Sequence, residues 1–194
     1  MIKEVCFVYR KEFYTQRLYI REYNKKDIDD FLRVIRQPKI YDTTYGIPRD
    51  YSKMRARWWL RMIKLNRVNG FAYEYAVFLR ETGEYVGNVG LINIDANHNH
   101  ADISYYIDTA HNNMGIATEA AQEMLRYGFF ELGHHKINGV CMSKNPASRR
   151  VMEKLGTRYE GTLRDDLLKD GIYCDLDRLS ILKDEFYTVC KVEK

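Results

Sequence analysis

The sequence lacks long hydrophobic runs and closely paired cysteines. No apolar run approaches 18 residues, and residues 1–5 lack a signal-peptide pattern. The four cysteines form no Cys-x-x-Cys pair, so a cysteine-based metal or redox motif is not indicated. We therefore expect four reduced thiols in a cytoplasmic protein that does not associate with a membrane.

A strong charge of either sign is also missing. The 31 Lys and Arg residues are nearly balanced by 27 Asp and Glu residues, which leaves a formal net charge of +4. That excess suits a small anionic ligand and is too weak to indicate nucleic acid binding. Only three prolines and 12 glycines occur, and no linker or internal repeat is visible. We expect one domain, residues 1–194, which is long enough for a sizeable core.

Helix and strand patterns alternate in the first half of the chain. Residues 15–21 alternate polar and apolar side chains, as a half-buried strand does, whereas residues 3–10 fit a short strand or an extension. Asn24 and Asp27 have nearly the spacing of a capping box for a helix, and Pro38 is expected to help end that helix. A second helix is predicted at 51–67, with an apolar side formed by Met54, Trp58, Met62 and Leu65. Its other side is basic and is expected to be solvated, at Lys53, Arg55, Arg57, Arg61, Lys64 and Arg67. A hairpin is predicted at 71–80 and 85–95.

The stretch from 104 to 132 combines a buried strand, a polar turn and a helix. After Gly115, small or apolar residues recur at the spacing of a helix that faces a core. They fall at 117, 120, 121, 124, 125, 128, 129 and 132. Unpaired amides and the helix dipole meet where a strand runs into a helix N-terminus, so the turn predicts an anion site.

A shorter helix near the C-terminus has its ends marked by residue type. Asn145 is suited to the N-cap, Pro146 to the first helical position and Gly156 to the position just past the end. Strands are predicted around this helix, at 136–142, 157–168 and 172–183. The order of elements predicts one α+β or mixed α/β domain.

A polar turn at 96–100 contains two histidines that could bind a metal. His98 and His100 have no third ligand that we identify nearby in the sequence. Exposed loop histidines are therefore the preferred interpretation, and no metal is expected.

Three stretches carry motifs in one order. Residues 15–21 read Thr-Gln-Arg-Leu-Tyr-Ile-Arg, residues 112–121 place Gly-Ile-Ala before a helix, and residues 145–156 follow Asn-x-x-Ser-x-x-x-x-x-x-Leu-Gly. Together they resemble the GNAT superfamily of acyl-CoA-dependent N-acetyltransferases, and more narrowly the branch of ribosomal-protein N-terminal (alanine) acetyltransferases. The resemblance implies a mixed, mostly antiparallel twisted sheet of about seven strands with about four helices, whose splayed middle strands form a coenzyme cleft.

The resemblance implies acetyl-CoA as co-substrate. Its pyrophosphate would meet the backbone N–H groups of residues 113–118, and its pantetheine arm would lie along residues 106–107. The family usually has Gln or Arg where Asn112 stands, and often Gly where Asn113 stands. Asn145 would either cap its helix alone or also reach the pantetheine amide. The expected coenzyme-binding residues are Tyr106, Ile107, Asn112, Asn113, Met114, Gly115, Ile116, Ala117, Thr118 and Asn145.

Two catalytic residues are implied by the same resemblance. Many relatives place a Tyr acid where this chain has Met152, but in the resembling branch a Ser at the position of Ser148 is the proposed acid. Local capping by Ser148 is the alternative. Asp102 stands where the branch often has a Glu base, and it would act through a water unless it is only a solvated edge carboxylate.

The implied reaction is acetyl transfer to a primary amine by direct attack in a ternary complex. A protein or peptide N-terminus is the first expectation for the acceptor. A small amine (polyamine, antibiotic or amino acid) and a non-catalytic acyl-CoA-binding protein are the alternatives. The oligomeric state stays open between a monomer and a homodimer.

The acceptor groove is expected between the segments 38–50 and 51–67 and the last hairpin. Acids cluster around this hairpin, where they either draw a cationic amine or only keep it soluble: Asp165, Asp166, Asp170, Asp175 and Asp177.

Overall fold

The computed structural model describes residues 9–190, which build an open eight-stranded sheet with six α-helices. The strands are β1 (Glu12–Tyr14), β2 (Leu18–Arg21), β3 (Tyr73–Leu79), β4 (Tyr85–Asp95), β5 (His100–Ile107), β6 (Lys136–Met142), β7 (Arg158–Lys169) and β8 (Ile172–Leu182). The helices are α1 (Ile28–Ile35), α2 (Pro38–Thr43), α3 (Lys53–Val68), α4 (Ile116–Arg126), α5 (Pro146–Lys154) and α6 (Lys183–Cys190). The predicted fold class is confirmed, with short additional elements.

The sheet order is β1-β2-β3-β4-β5-β6-β8-β7, and each described pair except β5 with β6 is antiparallel. β5 and β6 pair only through residues 100–102 and 136–138. Beyond Asp102 neither strand has the other as a partner, although β5 continues to Ile107 and β6 to Met142. The expected splay of the middle strands is therefore present.

Local signals determine how α1 begins. The Asn24 side chain accepts the Lys26 N–H, and the Asp27 carboxylate accepts the Asn24 N–H at 2.8 Å, which forms the predicted capping box. α1 ends at Ile35, shortly before Pro38, and this proline also opens α2 at the first helical position. A proline there gives up only an amide that lacks a helical acceptor. The apolar side of α1 is buried, at Ile28, Phe31, Leu32, Val34 and Ile35.

Helix α3 packs with a different face from the one its sequence suggests. Met54 and Trp58 are 78% and 60% exposed, whereas Ile63 and Arg67 are buried. The expectation of a solvated basic side is wrong for Arg67, whose guanidinium lies 2.7 Å from the Glu22 carboxylate. A cation can be buried there because an acid from the β2–α1 connection neutralises it.

Each face of the sheet covers a core. The larger core lies under α4 and α6 and includes Phe13, Leu18, Tyr75, Val89, Ala121, Met124 and Phe186. The smaller core lies under α1 to α3 and includes Phe31, Leu32, Tyr51, Ala56, Phe78, Tyr85 and Tyr106. Neighbouring residues of β5 therefore point into different environments, with Tyr105 towards the first core and Tyr106 into the second.

The C-terminal segment is helical beyond Glu185, and α6 extends to Cys190. Cys141 and Cys174 are free thiols. The interpretations of residues 3–8 and of Cys6 lie outside the described residues. Within residues 9–190, no helix is both long and apolar enough to span a membrane.

Candidate active site

The divergence of β5 from β6 opens a cleft of about 700 Å³. Strands β3 to β5 form its floor, and the N-terminal ends of α4 and α5 border it. Every predicted site residue except Met114 lines this cleft: Asp102, Tyr106, Ile107, Asn112, Asn113, Gly115, Ile116, Ala117, Thr118, Asn145 and Ser148.

The loop before α4 has the backbone that an anion site needs. Asn113 has φ 63° and Gly115 has φ 78°, both in the left-handed region that Asn and Gly tolerate. The first helical hydrogen bond of α4 runs from the Glu119 N–H to the Gly115 carbonyl at 3.0 Å. The N–H groups of residues 116–118 therefore lack acceptors within the helix and are available to an anion.

Sequence reasoning did not identify Arg17 as part of this loop. Its guanidinium donates to the Met114 carbonyl at 2.8 Å and to Glu119 at 2.7 Å, while Thr15 donates to Glu119 as well. Burial alone would raise the Glu119 pKa, but these donors outweigh it and hold the pKa below its usual value. The arginine adds a positive charge beside the anion site. Met114 contributes its carbonyl to this contact, and its side chain is exposed.

Ser148 directs its hydroxyl towards β5. The Asn145 side chain caps α5 by accepting the Ser148 N–H at 3.1 Å. The Ser148 Oγ lies 3.0 Å from the Tyr105 hydroxyl, which also donates to the Ser148 carbonyl at 3.1 Å. Burial raises the Tyr105 pKa well above its usual value, so this phenol stays protonated. No sequence motif pointed to Tyr105, because the two residues lie 43 positions apart.

Asp102 lies where β5 and β6 begin to part. One carboxylate oxygen accepts from the Asn138 side chain at 3.0 Å, and the other accepts from the Asn93 side chain at 2.9 Å. Both oxygens are therefore engaged by amides of the neighbouring strands. The carboxylate borders the cleft while it also joins β4, β5 and β6.

The segment around α2 is fastened across the cleft to α5 and to the last hairpin. The Asn145 side chain donates to the Thr43 carbonyl at 2.9 Å. At the hairpin tip, Lys169 donates to the carbonyls of Tyr41 and Thr44, and Asp170 accepts the Tyr41 hydroxyl at 2.5 Å. Segment 38–50 and the hairpin therefore meet, as the groove prediction requires.

Two of the hairpin acids already have partners. Asp177 is buried and accepts from Ser143, Thr162 and Arg149, and Asp170 pairs with Arg49 at 3.3 Å. These two carboxylates are neutralised within the protein and are poorly placed to draw a cationic acceptor.

The polar turn brings a third metal-type ligand close to its histidines. Ligand atoms of Asp95, His98 and His100 lie within 4.8 Å of one another. The expectation that these histidines lack a third ligand nearby is therefore wrong, because Asp95 is one. Asp95 also accepts the N–H groups of Asn97 and His98 at 2.9 Å. That turn explains the geometry without an ion.

Known sequences match most of this chain. A family described as the acetyltransferase (GNAT) domain matches residues 17–158. The uncharacterised N-acetyltransferase p20 of Bacillus licheniformis is 29% identical over 174 residues, 89% of this chain and 97% of p20. YdaF of Bacillus subtilis, named as a ribosomal N-acetyltransferase, is 34% identical over 104 residues, 54% of this chain and 57% of its own length. Spermidine N(1)-acetyltransferase of Escherichia coli is 29% identical over 104 residues, 54% of this chain and 56% of its own.

Solved structures share the fold. RimL, an alpha-N-protein acetyltransferase in complex with coenzyme A, superposes with a TM-score of 0.81 at 18% identity, and the match covers 88% of this chain and 97% of RimL. A GNAT-family acetyltransferase from Bacillus anthracis gives a TM-score of 0.79 at 24% identity, over 89% of this chain and 99% of the other. The cleft, the anion loop and the matched sequence agree, and the chain belongs to the GNAT family of acetyl-CoA-dependent N-acetyltransferases.

Proposed function

We propose that this enzyme acetylates the N-terminal amine of a protein or peptide, with direct attack on acetyl-CoA in a ternary complex. The observation that carries the proposal is one cleft bordered by both the open N-terminus of α4 and the hydroxyl of Ser148. The relative YdaF is named as a ribosomal N-acetyltransferase, and this name supports a protein acceptor.

The residues of the α4 loop fit the pyrophosphate of acetyl-CoA. The N–H groups of residues 116–118 and the Arg17 guanidinium would hold its charge. A Cβ on Gly115 would lie 3.3 Å from the Arg17 side chain, so glycine leaves the loop open at the point where a phosphate would approach. Asn112 and Asn113 border the same cleft and would supply hydrogen bonds where relatives often have Gln or Arg and Gly.

The chemistry requires the acceptor to lose two protons. An alkylammonium gives up one proton to become a nucleophilic amine and a second as the amide forms. When the tetrahedral intermediate collapses, the C–S bond breaks and one proton is needed on sulphur, while the other leaves to solvent. Ser148 is placed to protonate the thiolate, and Tyr105 is a positioning residue that orients the serine hydroxyl. Asp102 remains a proposed base that acts through a water.

Replacing Ser148 by alanine should lower turnover by roughly tenfold or more, as loss of a proton donor commonly does. Acetyl-CoA binding should persist, because the α4 loop is untouched. Steady-state kinetics with calorimetric acetyl-CoA titration measure both quantities. Ser148→Cys retains a proton donor and should keep more activity than Ser148→Ala. Unchanged turnover in Ser148→Ala would assign the serine to structure alone.

An acceptor panel tests the function itself. Thiol release from acetyl-CoA should accelerate with peptides that have a free N-terminus and not with the same peptides after N-terminal acetylation. A small-amine enzyme, which the spermidine acetyltransferase relative favours, would instead prefer spermidine or free amino acids. Acetyl-CoA binding without turnover on any acceptor would indicate a non-catalytic acyl-CoA-binding protein.

A further inference from the structure

A carboxylate that the proposed chemistry does not use lies inside the same cleft. Glu74 is on β3 and lines the cavity together with three aromatic residues, Phe31 of α1, Tyr51 just before α3 and Trp59 of α3. Phe31 stacks on Trp59 with ring centroids 4.7 Å apart and meets Tyr51 edge-on at 5.3 Å. An acid among aromatic faces is an environment that suits an organic cation.

The position of Glu74 in the sheet places it near the point where β5 and β6 part. Glu74 is paired with Gly90 on β4, and Gly90 is paired with Ser104 on β5. A Cβ on Gly90 would lie 2.9 Å from the Glu74 Cγ, so glycine leaves the space over β4 to the glutamate side chain. The backbone of Glu74 is therefore two strand spacings, about 10 Å, from that of β5, the strand that diverges from β6. A glutamate side chain and a bound ammonium can span much of that distance.

A buried chain of hydrogen bonds fixes the carboxylate. The Asn88 side chain donates to Glu74 at 3.2 Å and accepts from the Tyr23 hydroxyl at 2.9 Å. Tyr23 lies 2.9 Å from the Tyr85 hydroxyl, which in turn lies 3.2 Å from that of Tyr106. Three of the 16 tyrosines of the chain, Tyr23, Tyr85 and Tyr106, therefore have a structural role in this network.

Among the residues that the structure describes, no basic side chain forms an ion pair with Glu74. Arg67, whose charge acts on Glu74, donates to the backbone carbonyl of Glu74 and is paired with Glu22. Burial raises the Glu74 pKa to about 7, although the Asn88 hydrogen bond and the Arg67 charge oppose that rise. Tyr51 and Tyr106, which also face Glu74, are neutral phenols.

We propose that Glu74 binds the ammonium group of the acceptor in the cleft, with the faces of Phe31 and Trp59 beside it. The recognised group is then a primary ammonium, which a peptide N-terminus carries before it loses its first proton. This inference rests on the proposed function, since it names the group that receives the amine. It assigns to Glu74 the cation recognition that Asp170 and Asp177, both paired with arginines, do not supply.

The binding test needs no turnover. Trp59 borders the cleft, whereas Trp58 is exposed, so a Trp58→Phe background leaves Trp59 as the single tryptophan. Butylammonium chloride should cause a saturable change in Trp59 emission that butanol and sodium chloride do not cause. Glu74→Gln in this background should raise the butylammonium dissociation constant at least tenfold.

The kinetic test uses the best acceptor of the panel. Glu74→Gln should raise its KM at least tenfold and leave the acetyl-CoA dissociation constant unchanged, while the control Glu81→Gln, at an exposed position in the turn after β3, should change neither. Glutamine preserves the shape of the side chain and a partner for Asn88, and circular dichroism verifies the fold. Unchanged butylammonium binding and KM in Glu74→Gln would overturn the inference while leaving the enzyme's function intact. Absence of acetyl-CoA binding by the unmodified protein would instead overturn the proposed function.

Discussion

Replacing Arg67 by methionine is expected to lower the free energy of unfolding by about 3 kcal/mol, since removing one partner of a buried ion pair typically costs 3–5 kcal/mol. The Arg67 side chain is 5% exposed, and its partner Glu22 is 31% exposed. Water can reach the orphaned glutamate in part, which places the loss at the lower end of that range. The guanidinium also lies 5.4 Å from the Tyr75 ring and donates to the Glu74 carbonyl at 3.2 Å.

The urea dependence of unfolding, followed by circular dichroism, measures this loss. Arg61→Met is the matched control, because Arg61 is exposed on the same helix. Arg67→Met with Glu22→Gln should lose less than Arg67→Met alone, because no uncompensated acid then remains. If Arg67→Met costs no more than Arg61→Met, the pair contributes nothing to stability.

Stability should also fall in mild acid because of His134. This side chain is 5% exposed, and neither ring nitrogen has a hydrogen-bond partner among the described residues. Burial, with a smaller effect from His100, lowers the His134 pKa from 6.5 to about 4. The unfolded chain therefore binds the proton more readily than the folded one, so stability is fully present above pH 6.5 and is lost as the pH falls towards 4. Since one pKa unit corresponds to about 1.4 kcal/mol, the full loss at low pH is on the order of 3 to 4 kcal/mol.

The His134 contribution is isolated by comparison with a variant. His134→Leu fills a similar space without a titrating group, so its free energy of unfolding should decline less between pH 7 and pH 4.5 than that of the parent. Glu74 acts in the opposite direction, because an acid with a raised pKa favours the folded state as the pH falls, but it is present in both proteins. His135→Gln, at an exposed neighbouring position, should follow the parent curve. Parallel curves for His134→Leu and the parent would contradict the assignment.

Sequence patterns predicted the elements that depend on near neighbours. The capping box of Asn24 and the N-cap of Asn145 are made within three residues along the chain, and both are present. The turn before α4 is set by Asn113 and Gly115, whose positive φ angles need no distant contact. The loop before α4 could therefore be placed before any tertiary contact was known.

Local sequence patterns gave wrong predictions where tertiary packing determines which side chains are buried. A periodic apolar stripe says which side chains share a helix face but not which face turns inward. In α3, Met54 and Trp58 lie outside because Ala56 and Ile63 fit against the sheet. The role of Tyr23 could not be predicted from the sequence either, since the Tyr23–Asn88 contact joins residues 65 positions apart.

By itself, the sequence determined a GNAT-type order of elements and an anion loop at the start of α4, because capping, turn conformation and periodicity act over a few residues. Only the tertiary structure decided that Arg17 supports that loop from 97 residues away, that Tyr105 orients Ser148, and that Glu74 faces the cleft. Burial and the pairing of charges are properties of surfaces that meet in the fold. For that reason, Glu74, the residue proposed to bind the ammonium group of the acceptor, was found on β3 and not in any sequence motif.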